Sequence, residues 1–146
     1  MAAVTIAQML AAGVPAGLAD KPSSPGYVVI DYLLDGSKKA IGSTDTVEFY
    51  QVPTNASLIV QAASVQVITA ATATANFDLG IWVSSATDIT GLTAFDLDVA
   101  AVHTHKAATA ANVAVSGSKL IATMDTATLG GGVIRIRVFG ILAHAG

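Results

Sequence analysis

The sequence predicts an all-β chain, an antiparallel β-sandwich or jelly roll of about eight strands with an N-terminal arm. Three observations lead there. The apolar residues come in short runs that alternate with Thr, Ser, Asn and Gln, the period-two pattern of a strand. Turn residues recur between those runs, at Asp35-Gly36, Pro53-Thr54-Asn55, Ser116-Gly117 and Gly130-Gly131-Gly132. Mean hydropathy is +0.64 with only 12% charged residues. That is more apolar surface than the interior of one 146-residue domain absorbs, so the second face of a sheet is expected to be covered by another molecule.

Residues 1–25 are read as a short helix or an extended arm. Ile6, Met9, Leu10 and Val14 stand near helical spacing, and Pro15, Gly17, Pro22 and Pro25 then break it. Only Asp20 and Lys21 are charged, too few for a solvated tail, so the segment is expected to dock on a neighbour. The first basic residue, Lys21, follows the apolar part, which argues against a secretory signal.

Residues 26–146 form the sandwich. Residues 27–33 have the β-branched and aromatic content of a strand, and residues 46–52 form the next. Residues 58–62 run on into 64–69, and the apolar phase slips near Ala62-Ala63, which predicts a bulge or bend. After a Thr/Ala-rich turn, residues 76–83 return with Phe77, Leu79 and Ile81 on one face and Asn76, Asp78 and Trp82 on the other. Residues 84–98 read as a loop with a turn at Asp88-Ile89-Thr90-Gly91, tucked onto the sandwich by Phe95 and Leu97. Residues 99–111 read as a polar edge, 112–115 as a short strand and 118–124 as a longer one. The three consecutive glycines predict a flexible junction. The last strand, over 133–142, turns Ile134, Ile136 and Val138 to the core and Arg135 and Arg137 outward.

The totals exclude several function classes. A net charge of −3, with only Lys38 and Lys39 adjacent among seven Lys and Arg, leaves no basic face for nucleic acid. The absence of Cys excludes disulfides, thiolate zinc sites and Cys nucleophiles. The charge-free stretch 51–77 contains Gln61, Ser64 and Gln66 and alternates, so no membrane partner is expected through a spanning helix.

Few residues could carry chemistry. His103 and His105 share a strand face and could reach one ion, but a third ligand would have to come from Asp96, Asp98 or His144. Two exposed histidines on a polar edge is the plainer reading. Asp96 and Asp98, near Asp88, lack the ordered oxygen spacing of a calcium loop. Arg135 and Arg137 could grip a carboxylate or phosphate, but a solvated face or a cross-strand pair with Glu48 is favoured. Trp82, the single tryptophan, suits either a covered core position or a partner anchor. There is no Gly-x-Ser-x-Gly elbow, phosphate loop or dinucleotide fingerprint. No catalytic, cofactor-binding or metal-binding residue is therefore assigned, no cofactor is expected, and the chain is not read as an enzyme.

The stretch Val65-Gln66-Val67-Ile68-Thr69-Ala70, the Thr/Ala-rich turn, Phe77-Asp78-Leu79-Gly80-Ile81 and the closing Gly132-Val133-Ile134-Arg135-Ile136-Arg137-Val138-Phe139 together resemble small virion proteins of tailed bacteriophages. The resemblance covers roughly residues 45–143, and the loop after Trp82 departs from it by lacking an Asp/Gly-rich sequence. It implies a capsid decoration (cement) protein, located in the virion after assembly in the host cytoplasm. Its implied partners are the major capsid protein and further copies of itself, as a homotrimer. It implies no catalytic residues. A phage fibre or tail-associated module binding a receptor or glycan is the alternative, weakened by aromatics that amount to 5% and lie mostly in predicted strands. A cupin-like enzyme would rest on His103 and His105 alone.

Overall fold

The computed structural model describes residues 3–5, 8, 26–72, 74–100, 102–110 and 112–144. Among them run eleven strands: β1 (Ala3–Val4), β2 (Gly26–Asp35), β3 (Thr46–Gln51), β4 (Ala56–Thr69), β5 (Asn76–Trp82), β6 (Ala86–Asp88), β7 (Phe95–Asp96), β8 (His103–Ala107), β9 (Val113–Ala114), β10 (Lys119–Met124) and β11 (Val133–His144). They form two sheets. The six-stranded sheet is ordered β1-β3-β10-β5-β6, with β7 also on β5. The five-stranded sheet is ordered β2-β11-β4-β8, with β9 also on β4. Only β1, against β3, pairs parallel. Without the two-residue strands β1, β7 and β9, eight strands remain, ordered β2-β11-β4-β8 over β3-β10-β5-β6. The chain switches sheets at nearly every step, and this is the double Greek key of a jelly roll.

The expected alternation is present in the elements that carry it. Ile134, Ile136 and Val138 are buried, as are Phe77, Leu79 and Ile81. The phase slip near Ala62 is a bulge: Phe139 pairs Ala62 but Gly140 pairs Val60, so Gln61 has no partner on β11. A second bulge leaves Ile68 out of register and 45% exposed. Phe95 and Leu97 are fully buried, as expected, and Phe95 stacks on Phe77 with ring centroids 5.3 Å apart.

Three expectations need correction. Residues 84–98 are more than a loop, because backbone pairing to β5 makes β6 and β7 strands. The polar edge over 99–111 contains β8, paired to β4. The glycine run is a packed turn and no flexible junction: Gly36 N–H donates to Gly132 O (2.8 Å), Gly132 N–H donates to Leu129 O (3.1 Å), and Leu129 is fully buried. Gly130 has φ +60°, and a Cβ there would strike Thr72 Oγ1, so glycine serves both conformation and close approach. The expected N-terminal helix or arm lies largely outside the described residues. Of residues 1–25, Ala3 and Val4 pair with Thr46 and Val47 at the sheet edge.

One core group is out of place. Tyr32 stacks on Phe49 at 5.5 Å between the sheets, and its hydroxyl has no hydrogen-bond partner among the described residues. Burial pushes that phenol far above the ordinary tyrosine range. Tyr32→Phe removes an unsatisfied hydroxyl and keeps the ring. It is expected to raise the unfolding free energy by about 1 kcal/mol, read as a higher urea midpoint at unchanged slope.

Candidate functional site

The feature with functional content is the outer face of the five-stranded sheet. Pairing registers place its side chains in rows that cross the sheet from β2 through β11 and β4 to β8 or β9. The first row is Tyr27, Ile141, Ile59 and Val113. The second is Val29, Phe139, Ala62 and Ala107. The third is Asp31, Arg137, Ser64 and His105. The fourth is Leu33, Arg135, Gln66 and His103. Half of the face is therefore apolar, and the other half is charged and polar apart from Leu33. Tyr27 is 86% exposed, Val113 52% and Val29 48%. A continuous apolar half on the solvent side of a sheet is what a protein–protein contact leaves when its partner is removed.

The charged half is internally tied. Arg135 Nη1 lies 3.2 Å and Arg137 Nε 3.6 Å from the same Asp31 Oδ2. Ser64 Oγ shares a hydrogen bond with His105 Nδ1 (2.7 Å), and the His105 ring tilts against Phe139 at 5.9 Å. The two arginines thus do not pair with Glu48, as the sequence suggested. Glu48 is buried on the other sheet and bonds Lys119 Nζ at 3.1 Å. The reason is topology: β11 lies between β2 and β4, and the strand carrying Glu48 belongs to the opposite layer.

The histidine pair shares a face as expected, but its possible helpers are elsewhere. Asp96 pairs with Asn76 in the six-stranded sheet, and His144 sits at the far end of β11, opposite Ala56. Among the described residues no group of three or more His, Asp or Glu gathers as a metal site would require. Trp82 is half-buried on the outer side of the six-stranded sheet, beside Lys119, and so lies outside the core and away from the apolar rows. An open groove of about 510 Å³ lies between Ile81, Val83 and Val113. The described residues that line it are apolar or neutral polar, Ser84, Ser85, Thr87 and Asn112 among them.

A separate crowding of charge occurs on the six-stranded sheet. Asp88 stands on the exposed strand β6, where partial desolvation, then the charges of Asp78 and Asp125, hold its carboxyl above the ordinary carboxylate range. A raised acid binds its proton more tightly when folded, so its ionisation opposes folding. The penalty is present above the raised value and fades as pH falls to the unfolded value of about 4. Asp88→Asn should therefore raise the melting temperature at pH 7, and the difference should close on acidification below that value.

Fold and face together define a jelly-roll protein whose distinctive surface is the half-apolar outer face of the five-stranded sheet. No protein-family model matches the chain, and no curated protein does. Solved structures do. A chain from the capsid of Ralstonia phage GP4 superposes with a TM-score of 0.64 at 16% identity, over 99% of this chain and 99% of that one. A chain from the acid-stable capsid of Helicobacter pylori bacteriophage KHP30 superposes with a TM-score of 0.53 at 17% identity, over 82% of this chain and 90% of that one. At such identities the likeness is one of fold.

Proposed function

We propose that this chain is a structural protein of a phage virion, a capsid decoration or cement protein that binds the outer surface of the head and clamps neighbouring subunits of the major capsid protein. The observation that carries the reading is the end-to-end likeness to a chain from a phage capsid, 99% of each chain. The half-apolar sheet face supports the assembly part of this reading, because a protein that works among other subunits needs a surface to bury against one of them. The protein acts as a homo-oligomer, a trimer at capsid symmetry points, and performs no catalysis. Its mechanism is added contact area between shell subunits. Each 1,000 Å² of apolar contact offers up to roughly 25 kcal/mol of gross burial, against which ordering and association costs are set.

Ala3 and Val4 are held against β3 of the same chain, and the remainder of residues 1–25 is proposed to reach across to a neighbour. The test uses expanded shells of the parent virus, incubated with the full chain or with a chain lacking residues 1–20, and counts bound copies after sedimentation. The full chain should saturate the shells and the truncated one should lose most of its occupancy. Failure of the full chain to bind would overturn the decoration role, and equal binding by the truncated chain would overturn the role of the arm.

A further inference from the structure

We propose that the outer face of the five-stranded sheet packs against the same face of a second copy of this chain. The two copies are related by a two-fold axis lying in the contact plane, parallel to the strands and between β11 and β4. The inference rests on the assembly role proposed above, but its test needs no shell.

The rows are self-complementary about that axis. That axis keeps each row at its own height and reverses the strand order, so β2 lies over the β8/β9 edge of the other copy and β11 over its β4. In the first row Tyr27 then covers Val113 and Ile141 covers Ile59. In the second, Phe139 sits over Ala62 and Val29 over Ala107, each large side chain against a small one, as interdigitating sheets require. In the third, Asp31 faces His105 and Arg137 faces Ser64. In the fourth, Arg135 faces the Gln66 amide and Leu33 faces His103. No like charges meet, and each arginine gains a neutral acceptor while keeping Asp31. A two-fold axis along the rows instead would set Ile141 over Arg135 and desolvate a guanidinium against an aliphatic side chain.

The area is adequate. Four strands about 4.8 Å apart and nine residues of β11 rising about 3.3 Å each make a face of roughly 500 Å² per copy. The pair then buries roughly 1,000 Å², the lower bound for a specific interface, so the contact forms reversibly. A two-fold contact gives even numbers of copies: dimers alone, or pairs of trimers where a three-fold contact also exists.

The chain contains no Cys, so disulfide trapping is clean. In the Tyr27→Cys/Val113→Cys double variant the two sites lie three strand spacings apart within one copy, about 14 Å, too far for an internal bond. Across the proposed axis they are neighbours. Mild oxidation should convert most of the double variant to covalent oligomers, with each single variant at least about tenfold less cross-linked. Val29→Cys/Ala107→Cys should behave likewise, which guards against a folding defect in the first pair. Tyr27→Cys/His103→Cys, drawn from different rows, should stay uncrosslinked. Failure of both same-row pairs to cross-link, or equal cross-linking by the mixed-row pair, would overturn the contact. Trapping without shell binding would leave the contact standing and remove the decoration role, whereas shell binding without trapping would do the reverse.

Discussion

Phe77→Ala should lower the unfolding free energy by about 4 kcal/mol. Phe77 is fully buried, lies on β5, and stacks on Phe95 at 5.3 Å. Its removal forfeits the transfer energy of a ring, the stacking and the contacts of the walls around the space it leaves. The walls cannot close in, because β5 is hydrogen-bonded on both sides, to β10 and to β6 and β7. Lost stacking would also free Phe95, whose ring supports the Lys106 ammonium 5.0 Å from its centroid. Urea unfolding should show the shift as a lower midpoint. A change under 2 kcal/mol would mean that this end of the sandwich repacks.

Gly91→Ala is expected to cost about 3 kcal/mol, although it adds a single methyl group. Gly91 has φ +93°, a conformation that side chains rarely adopt, and a Cβ there would run into the Ala107 carbonyl oxygen. The obstacle is backbone, so no rotamer relieves it. The site matters because the two sheets are joined there: Thr109 N–H donates to Thr90 O at 2.8 Å, and Thr90 bridges Ala110. Fully buried Ile89 and Leu92 flank the turn and are pinned to β5, with Ile89 N–H donating to Leu79 O at 2.9 Å. Hydrogen exchange should therefore accelerate first at Thr109 and Ile89, and the global midpoint should fall with it. An alanine variant as stable as the parent chain would refute the clash.

Much of this architecture could be read from residue order, and the unreadable parts share a cause. β11 was plain because Ile134, Ile136 and Val138 alternate with Arg135 and Arg137. The bulge in β4 showed as a slip of phase, since inserting Gln61 shifts every later side chain by one step. β8 was obscure because His-Thr-His-Lys-Ala has no apolar stripe. Its inward Lys106 is satisfied by the Thr93 carbonyl (2.6 Å) and the Phe95 ring, contacts that only the folded chain supplies. The same limit governs the candidate face. An excess of apolar residues was evident, and so was the outward direction of the arginines. Which strands lie side by side was not, and that decides that Asp31 and not Glu48 meets Arg135 and Arg137. Tyr27, Val29, Phe139 and Ile141 each read as ordinary strand residues until registers gathered them in one place.

Burial of the half-apolar face between copies, as proposed, makes the mass of the protein depend on its concentration. Light scattering of the full chain across a range of concentrations tests it most directly. The expected result is a mass that rises with concentration toward even multiples of the 14.6 kDa chain. A constant mass of one chain at every concentration would contradict it.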